Sequence, residues 1–202
     1  TLAETVPCIS GQQNDACYTT VAETIGRWAF RRTLDQAEVD RLVNIALEGR
    51  TWGDGDFLSG LKYELMAILQ SPSFVYIIEV GEPDPNTGFR RLRPEELATR
   101  MSFFLKGRNP DLATLDMADA GMLDTPEQIR TLAQELIQAP EARLATAAFF
   151  DEALRLRNVP TAAKNDTIFP NFSPELGEFM RQETLLLVHD IVWNLASDIR
   201  EL

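Results

Sequence analysis

The chain has 202 residues, 45 % of them apolar and 25 % charged. That is globular composition, and it excludes a disordered chain. Folding at this mass reduces an accessible surface of roughly 33,000 Å² to about 9,500 Å², which is enough burial for a core without metal support. The longest apolar runs, such as Leu65–Leu69 and Phe74–Ile78, are five residues, too short to span a bilayer. With 31 acidic and 19 basic residues the net charge is −12, the wrong sign for releasing counterions from nucleic acid.

Thr1 opens the sequence without a basic-then-apolar leader, and the last residues, Ser197 to Leu202, still follow a helical pattern. We therefore expect a piece of a longer protein. Cys8 and Cys17 enclose a polar, turn-rich segment. Paired, they would close a ring worth about 2.5–3 kcal/mol and tether residues 1–14, an N-terminal loop, to the helix that follows. The alternative is two free thiols. A zinc site would need two more ligands, and the only histidine, His189, is remote in sequence. A disulfide implies an oxidising compartment, most simply the bacterial periplasm or cell surface.

Helical periodicity then dominates. Val21, Ile25, Trp28 and Ala29 form one stripe, and Val39, Leu42, Val43, Ala46 and Leu47 a second. Phe57, Leu61, Leu65, Ile68 and Leu69 follow, with Asp54-Gly55-Asp56 as the turn and cap before them. Ser73–Val80 is β-branched and aromatic, and with Phe89–Leu92 it predicts a short hairpin around a long turn. Further stripes are Leu97-Met101-Phe104-Leu105, Ile129-Leu132-Ala133-Leu136-Ile137 and Val188-Val192-Leu195-Ile199-Leu202. Five segments open with Pro and an acid, at Pro94, Pro110, Pro126, Pro140 and Pro174. Proline suits the first helical position and the acid meets the positive end of the helix dipole. Asn109, Thr125 and Ser173 are the expected N-caps, and Asp35 with Glu38 and Thr125 with Gln128 are capping boxes. The expected fold is mainly α, an irregular bundle of about eight helices with one short β-hairpin. Residues 15–92 would be a first helical group ending in the hairpin, and 93–202 a second group packed on the first.

Five strings, in order, resemble a known family: Trp28-Ala29-Phe30-Arg31-Arg32-Thr33-Leu34, Ile68 to Tyr76, Leu97 to Leu105, Asn109-Pro110-Asp111 and Met180 to Thr184. They are similar to exported bacterial proteins whose adjoining segments are domains of unknown function 1595 and 1592. Thr33 stands where that family has Pro, Ile77 where an Arg often stands, and Lys106-Gly107 replace its Trp and neighbour. The resemblance implies export, a multidomain parent and adjoining segments that carry c-type haem. This chain has no Cys-x-x-Cys-His, so no cofactor is expected in it and any haem would belong to an absent segment or a partner.

No catalytic constellation stands out. His189 could serve as a general base, but Asp190 next to it would point about 100° away on a helix. Glu95-Glu96, Asp151-Glu152 and Glu178 with Glu183 are carboxylate pairs on solvated helix faces, without the apolar cleft that separates catalytic pKa values. Asp84-x-Asn86-x-Gly88 lacks the sixth-position glycine of a calcium loop. Arg31-Arg32 suit a helix C-terminus. Arg100, inside an apolar stretch, is expected to be buried and paired, or else to bind an anion. Trp52, in a Gly-rich turn, could stack on a sugar. These features favour a non-catalytic helical interaction module, whose partners are other domains of the same full-length protein or partner subunits. The alternatives are the substrate-binding part of a periplasmic hydrolase or redox enzyme, and a polysaccharide-binding module.

Overall fold

A computed structural model describes residues 2–85, 87–194 and 200. Asn86 of the turn and Leu195, Ile199 and Leu202 of the terminal stripe lie outside the described residues. The chain is mainly α with one two-stranded antiparallel hairpin. It divides into two compact units, Thr1–Arg100 with Asn109–Gln128, and Met101–Arg108 with Ile129–Leu202.

The first unit opens with a short turn, α1 (Leu2–Thr5), followed by the Cys8–Cys17 disulfide. Its Cα atoms are 5.7 Å apart, and the bridge fixes the N-terminal loop to α2 (Asp15–Val21). Replacing both cysteines by serine should therefore lower the urea unfolding free energy of this unit by about 2–3 kcal/mol. An unchanged midpoint would show that the loop is held without the bridge. The Asn14 side chain caps α2 by accepting from the Cys17 amide. The rod continues through a π-helical turn, Ala22–Gly26, into α3 (Arg27–Phe30) and stops at Arg31 in the left-handed region (φ 59°).

The capping box of Asp35 and Glu38 starts α4 (Gln36–Trp52), as the sequence predicts. Asp56 caps α5 (Phe57–Gln70) through the Ser59 amide, 2.8 Å away. Asp54 and Gly55 supply the positive φ angles of the connecting turn. Val6, Cys17, Tyr18, Val21, Ala46, Phe57 and Leu61 form one buried cluster, and Ala22, Ala29, Phe30, Val39, Leu42 and Ile68 another. Each large apolar side chain in them contributes about 1.5–3 kcal/mol by leaving water. The Tyr18 ring stacks on Phe57 with centroids 4.7 Å apart, and its hydroxyl donates to the Phe57 carbonyl oxygen at 2.9 Å.

The predicted strand at Ser73–Val80 is different. Ser71 accepts from the Ser73 amide, Pro72 occupies the first helical position, and Pro72–Val75 turns as a short helix, α6. A cap and a proline outweigh the weaker β preference of the residues that follow. The hairpin comes later and is smaller: β1 (Glu82–Pro83) pairs with β2 (Arg90–Arg91), Glu82 opposite Arg91.

Pro94 opens α7 (Pro94–Lys106), whose residues to Arg100 belong to the first unit. Next is α8 (Leu112–Asp119). Its cap is Asp111, accepting from the Thr114 amide at 2.8 Å, and not Asn109. The Asn109 amide donates instead to the Trp28 carbonyl oxygen. Thr125 and Gln128 form their capping box at the start of α9 (Pro126–Gln138).

In the second unit, Ile129–Gln138 of α9, α10 (Pro140–Ala153) and α11 (Pro174–His189) bury Leu132, Leu136, Ala142, Val188 and Ile191. Ser173 caps α11, and a π-helical turn, Asp190–Asn194, follows it. An ion-pair hub joins α10 to α11. Asp151, 3 % exposed, accepts from Arg181 Nε and Arg157 Nε, both at 2.7 Å. Hydrogen bonds from Arg181 and then Arg157 hold its carboxyl down to about 2. A depressed carboxyl stabilises the fold above its unfolded pKa and stops doing so as pH falls through the folded one. Asp151→Asn should thus destabilise the second unit at pH 7 and leave it little changed near pH 2. A destabilisation that persisted undiminished at pH 2 would assign the effect to packing.

Candidate functional site

The first unit holds a cleft of about 530 Å³. Phe30, Arg31, Arg32 and Thr33, at the end of α3, form one wall. Ser73 and Ile78 form a second, and Arg93, Glu95, Glu96 and Thr99 at the start of α7 a third. Asp35 and Asp119 complete it.

Most of its charges are already committed. Arg32 donates to both Glu38 oxygens at 2.7 Å. Asp119 accepts from Arg27 Nη2 at 2.8 Å and from the Thr33 hydroxyl at 2.9 Å. Glu96 is 4 % exposed and accepts from the Val80, Gly81 and Arg93 amides at 2.9–3.0 Å and from the Arg93 guanidinium. Burial acts to raise its carboxyl, but these donors, led by the Arg93 and Val80 amides, outweigh it and hold it below the usual range. Glu96 thus anchors the hairpin to α7 and offers no free base.

Arg31 behaves differently from Arg32. It is 6 % exposed and donates from Nη2 to the carbonyl oxygens of Ser73 (2.5 Å) and Tyr76 (2.8 Å), with longer contacts to Phe74. Its place at a helix end predicts a role against that helix's own dipole; instead it crosses to the end of α6. The left-handed backbone at Arg31 breaks the helix and turns the side chain out of the rod's line.

The other residues singled out from sequence are not assembled here. Arg100 is not buried; it lies exposed and pairs with Glu79. Phe104, one turn further along α7 on the same face, is exposed as well, so this face of the helix is not buried. Trp52, at the end of α4, is 63 % exposed, with its ring edge-to-face against Tyr63 at 5.0 Å. His189 is half-buried at the end of α11, in the other unit from Arg100 and Trp52. Among the described residues no group of three His, Cys, Asp or Glu side chains could hold a metal ion.

Sequence reasoning puts Asp151 on a solvated face, but it is buried against Arg181, thirty residues away, a separation that no spacing rule covers. It assigns Glu64 nothing at all. Glu64 sits on the buried face of α5, wholly inaccessible, and neither carboxylate oxygen has a hydrogen-bond partner among the described residues. Desolvation pushes its carboxyl up to about 9. Its signal was present: it is the one acid between Leu61, Leu65 and Ile68 on an apolar stripe.

A mainly helical two-unit chain, with a charge-lined cleft where its two motif-bearing halves meet in the first unit, defines the class. The family models divide the chain at a different place, between residues 79 and 92, within the first compact unit. Residues 17–79 match the model described as PSD5, protein of unknown function (DUF1595), and residues 92–202 match PSD4, protein of unknown function (DUF1592). The chain belongs to the DUF1592 family, preceded by a DUF1595 segment. No curated protein and no solved structure matches it.

Proposed function

We propose that this chain is a non-catalytic helical module of a larger exported protein, whose exposed faces dock on neighbouring domains or subunits. One observation carries the reading. Along α11, Leu176, Phe179, Met180, Leu186 and Leu187 are exposed on one stripe interrupted only by Glu183, while Gly177 and Val188 on the opposite face are buried. Among its described residues the second unit exposes more large apolar side chains than it buries. A soluble unit seldom leaves such a surface uncovered unless something packs on it.

The disulfide is compatible with export, and no helix among the described residues is long and apolar enough to cross a membrane. The ion pairs that occupy the cleft's carboxylates support a structural role over acid–base catalysis. Association with c-type cytochromes belongs to the same proposal, since the haem would reside on a neighbouring segment or subunit. Intact mass and haem staining of the native protein test it. The expected result is a covalent chain well above 22.7 kDa, or a stable complex of that size, that stains for haem. A free monomer of 22.7 kDa that does not stain would overturn the reading.

A further inference from the structure

Of the three guanidinium groups lining the cleft, Arg32 and Arg93 face carboxylates. Arg31 faces none among the described residues. Its partners are the carbonyl oxygens of Ser73, Phe74 and Tyr76, reached from Nη1 and Nη2, and its Nε–H makes no bond among the described residues. Carbonyl dipoles solvate a cation but leave its full charge in place. A buried, uncompensated charge is costly, and in native proteins it is normally paired or used.

The rest of the lining limits what could neutralise it. Asp35, Glu95, Glu96 and Asp119 border the same cleft, so a dianion such as phosphate would be opposed by four carboxylates. A single negative charge is the better match. Of these carboxylates, Asp35, Glu95 and Asp119 retain lone pairs that accept from ligand hydroxyls. Phe30 and Ile78 supply apolar wall, and about 530 Å³ suits a ligand the size of one sugar ring. We propose that the cleft binds a small hydroxylated monocarboxylate of the sugar-acid class, with the carboxylate on Arg31 and the hydroxyls towards Asp119 and Glu95.

The test titrates the whole chain with glucuronate, and with glucose as the neutral control, by calorimetry and by the arginine Nε–H resonances. Saturable glucuronate binding that moves the Arg31 Nε–H resonance, with no response to glucose, is expected. Ile78→Asp, at a half-exposed position, sets a like charge on the cleft wall and should weaken glucuronate about tenfold without changing the circular dichroism. No saturable binding, equal responses to the two sugars, or an Ile78→Asp protein that binds as well as the parent would each overturn the assignment.

Discussion

Replacing Glu64 with methionine makes the first unit more stable at neutral pH, and the gain grows as pH rises. The carboxyl is fully buried and unpartnered, and its pKa is raised by desolvation from 4.5 to about 9. Between those values the unfolded chain releases the proton and the folded one keeps it. Folding stability therefore falls with rising pH, by about 1.4 kcal/mol per pH unit at most. The sign is the reverse of that at Asp151, whose stabilising contribution is present at neutral pH and lost in acid. Methionine fills a similar volume with no group to desolvate, and removing buried ionisable groups in favour of apolar ones commonly gains about 1–4 kcal/mol. Urea unfolding at pH 5 and pH 8, followed at Trp28 and Trp52 with Trp193 replaced by phenylalanine, gives the measurement. A gain that is larger at pH 8 is expected. Equal stability of parent and variant at both pH values would mean that Glu64 has found a partner or water.

Gly60→Ala should destabilise the first unit as much as loss of the disulfide does. A Cβ at that position would lie 2.3 Å from the Tyr18 hydroxyl and 2.6 Å from the Ala46 carbonyl oxygen. The second contact is to backbone, so α4 and α5 would have to separate. The first would displace the hydroxyl that donates to the Phe57 carbonyl oxygen. Overpacking costs about 1–3 kcal/mol, and the lost hydrogen bond about 1 more, against a gain below about 1 from the better helix former. A net destabilisation of about 2–3 kcal/mol should appear in the same urea assay. Tyr18→Phe should recover only part of it, because the clash with Ala46 remains. A neutral Gly60→Ala would show that the helices can part without loss.

Much of the fold was legible because it depends on local rules. The Asp35–Glu38 and Thr125–Gln128 capping boxes, the Ser173 cap and the prolines that open α7, α9, α10 and α11 all act within one turn of chain. Ser73–Val80 reads as strand because β propensity speaks for every residue while one Ser-Pro cap speaks only for the first few. Asn109 is the cap the sequence predicts, but its amide is taken by the Trp28 carbonyl oxygen and Asp111 caps α8 instead. The cleft was not legible. Its walls come from residues 30–35, 73–78, 93–99 and 119, and only folding brings them together. The two motif strings at Arg31 and at Ser71–Tyr76 were visible, but not the hydrogen bonds that join them.

If the module docks as proposed, the α11 stripe is covered in the working protein. Oxidative footprinting of methionine tests it most directly, because Met180 on the stripe and Met122 in the first unit are almost equally exposed here, at 46 % and 47 %. In the isolated chain the two should oxidise at similar rates. In the native protein Met180 should slow several-fold relative to Met122. An unchanged ratio would contradict the claim and leave the stripe as open surface.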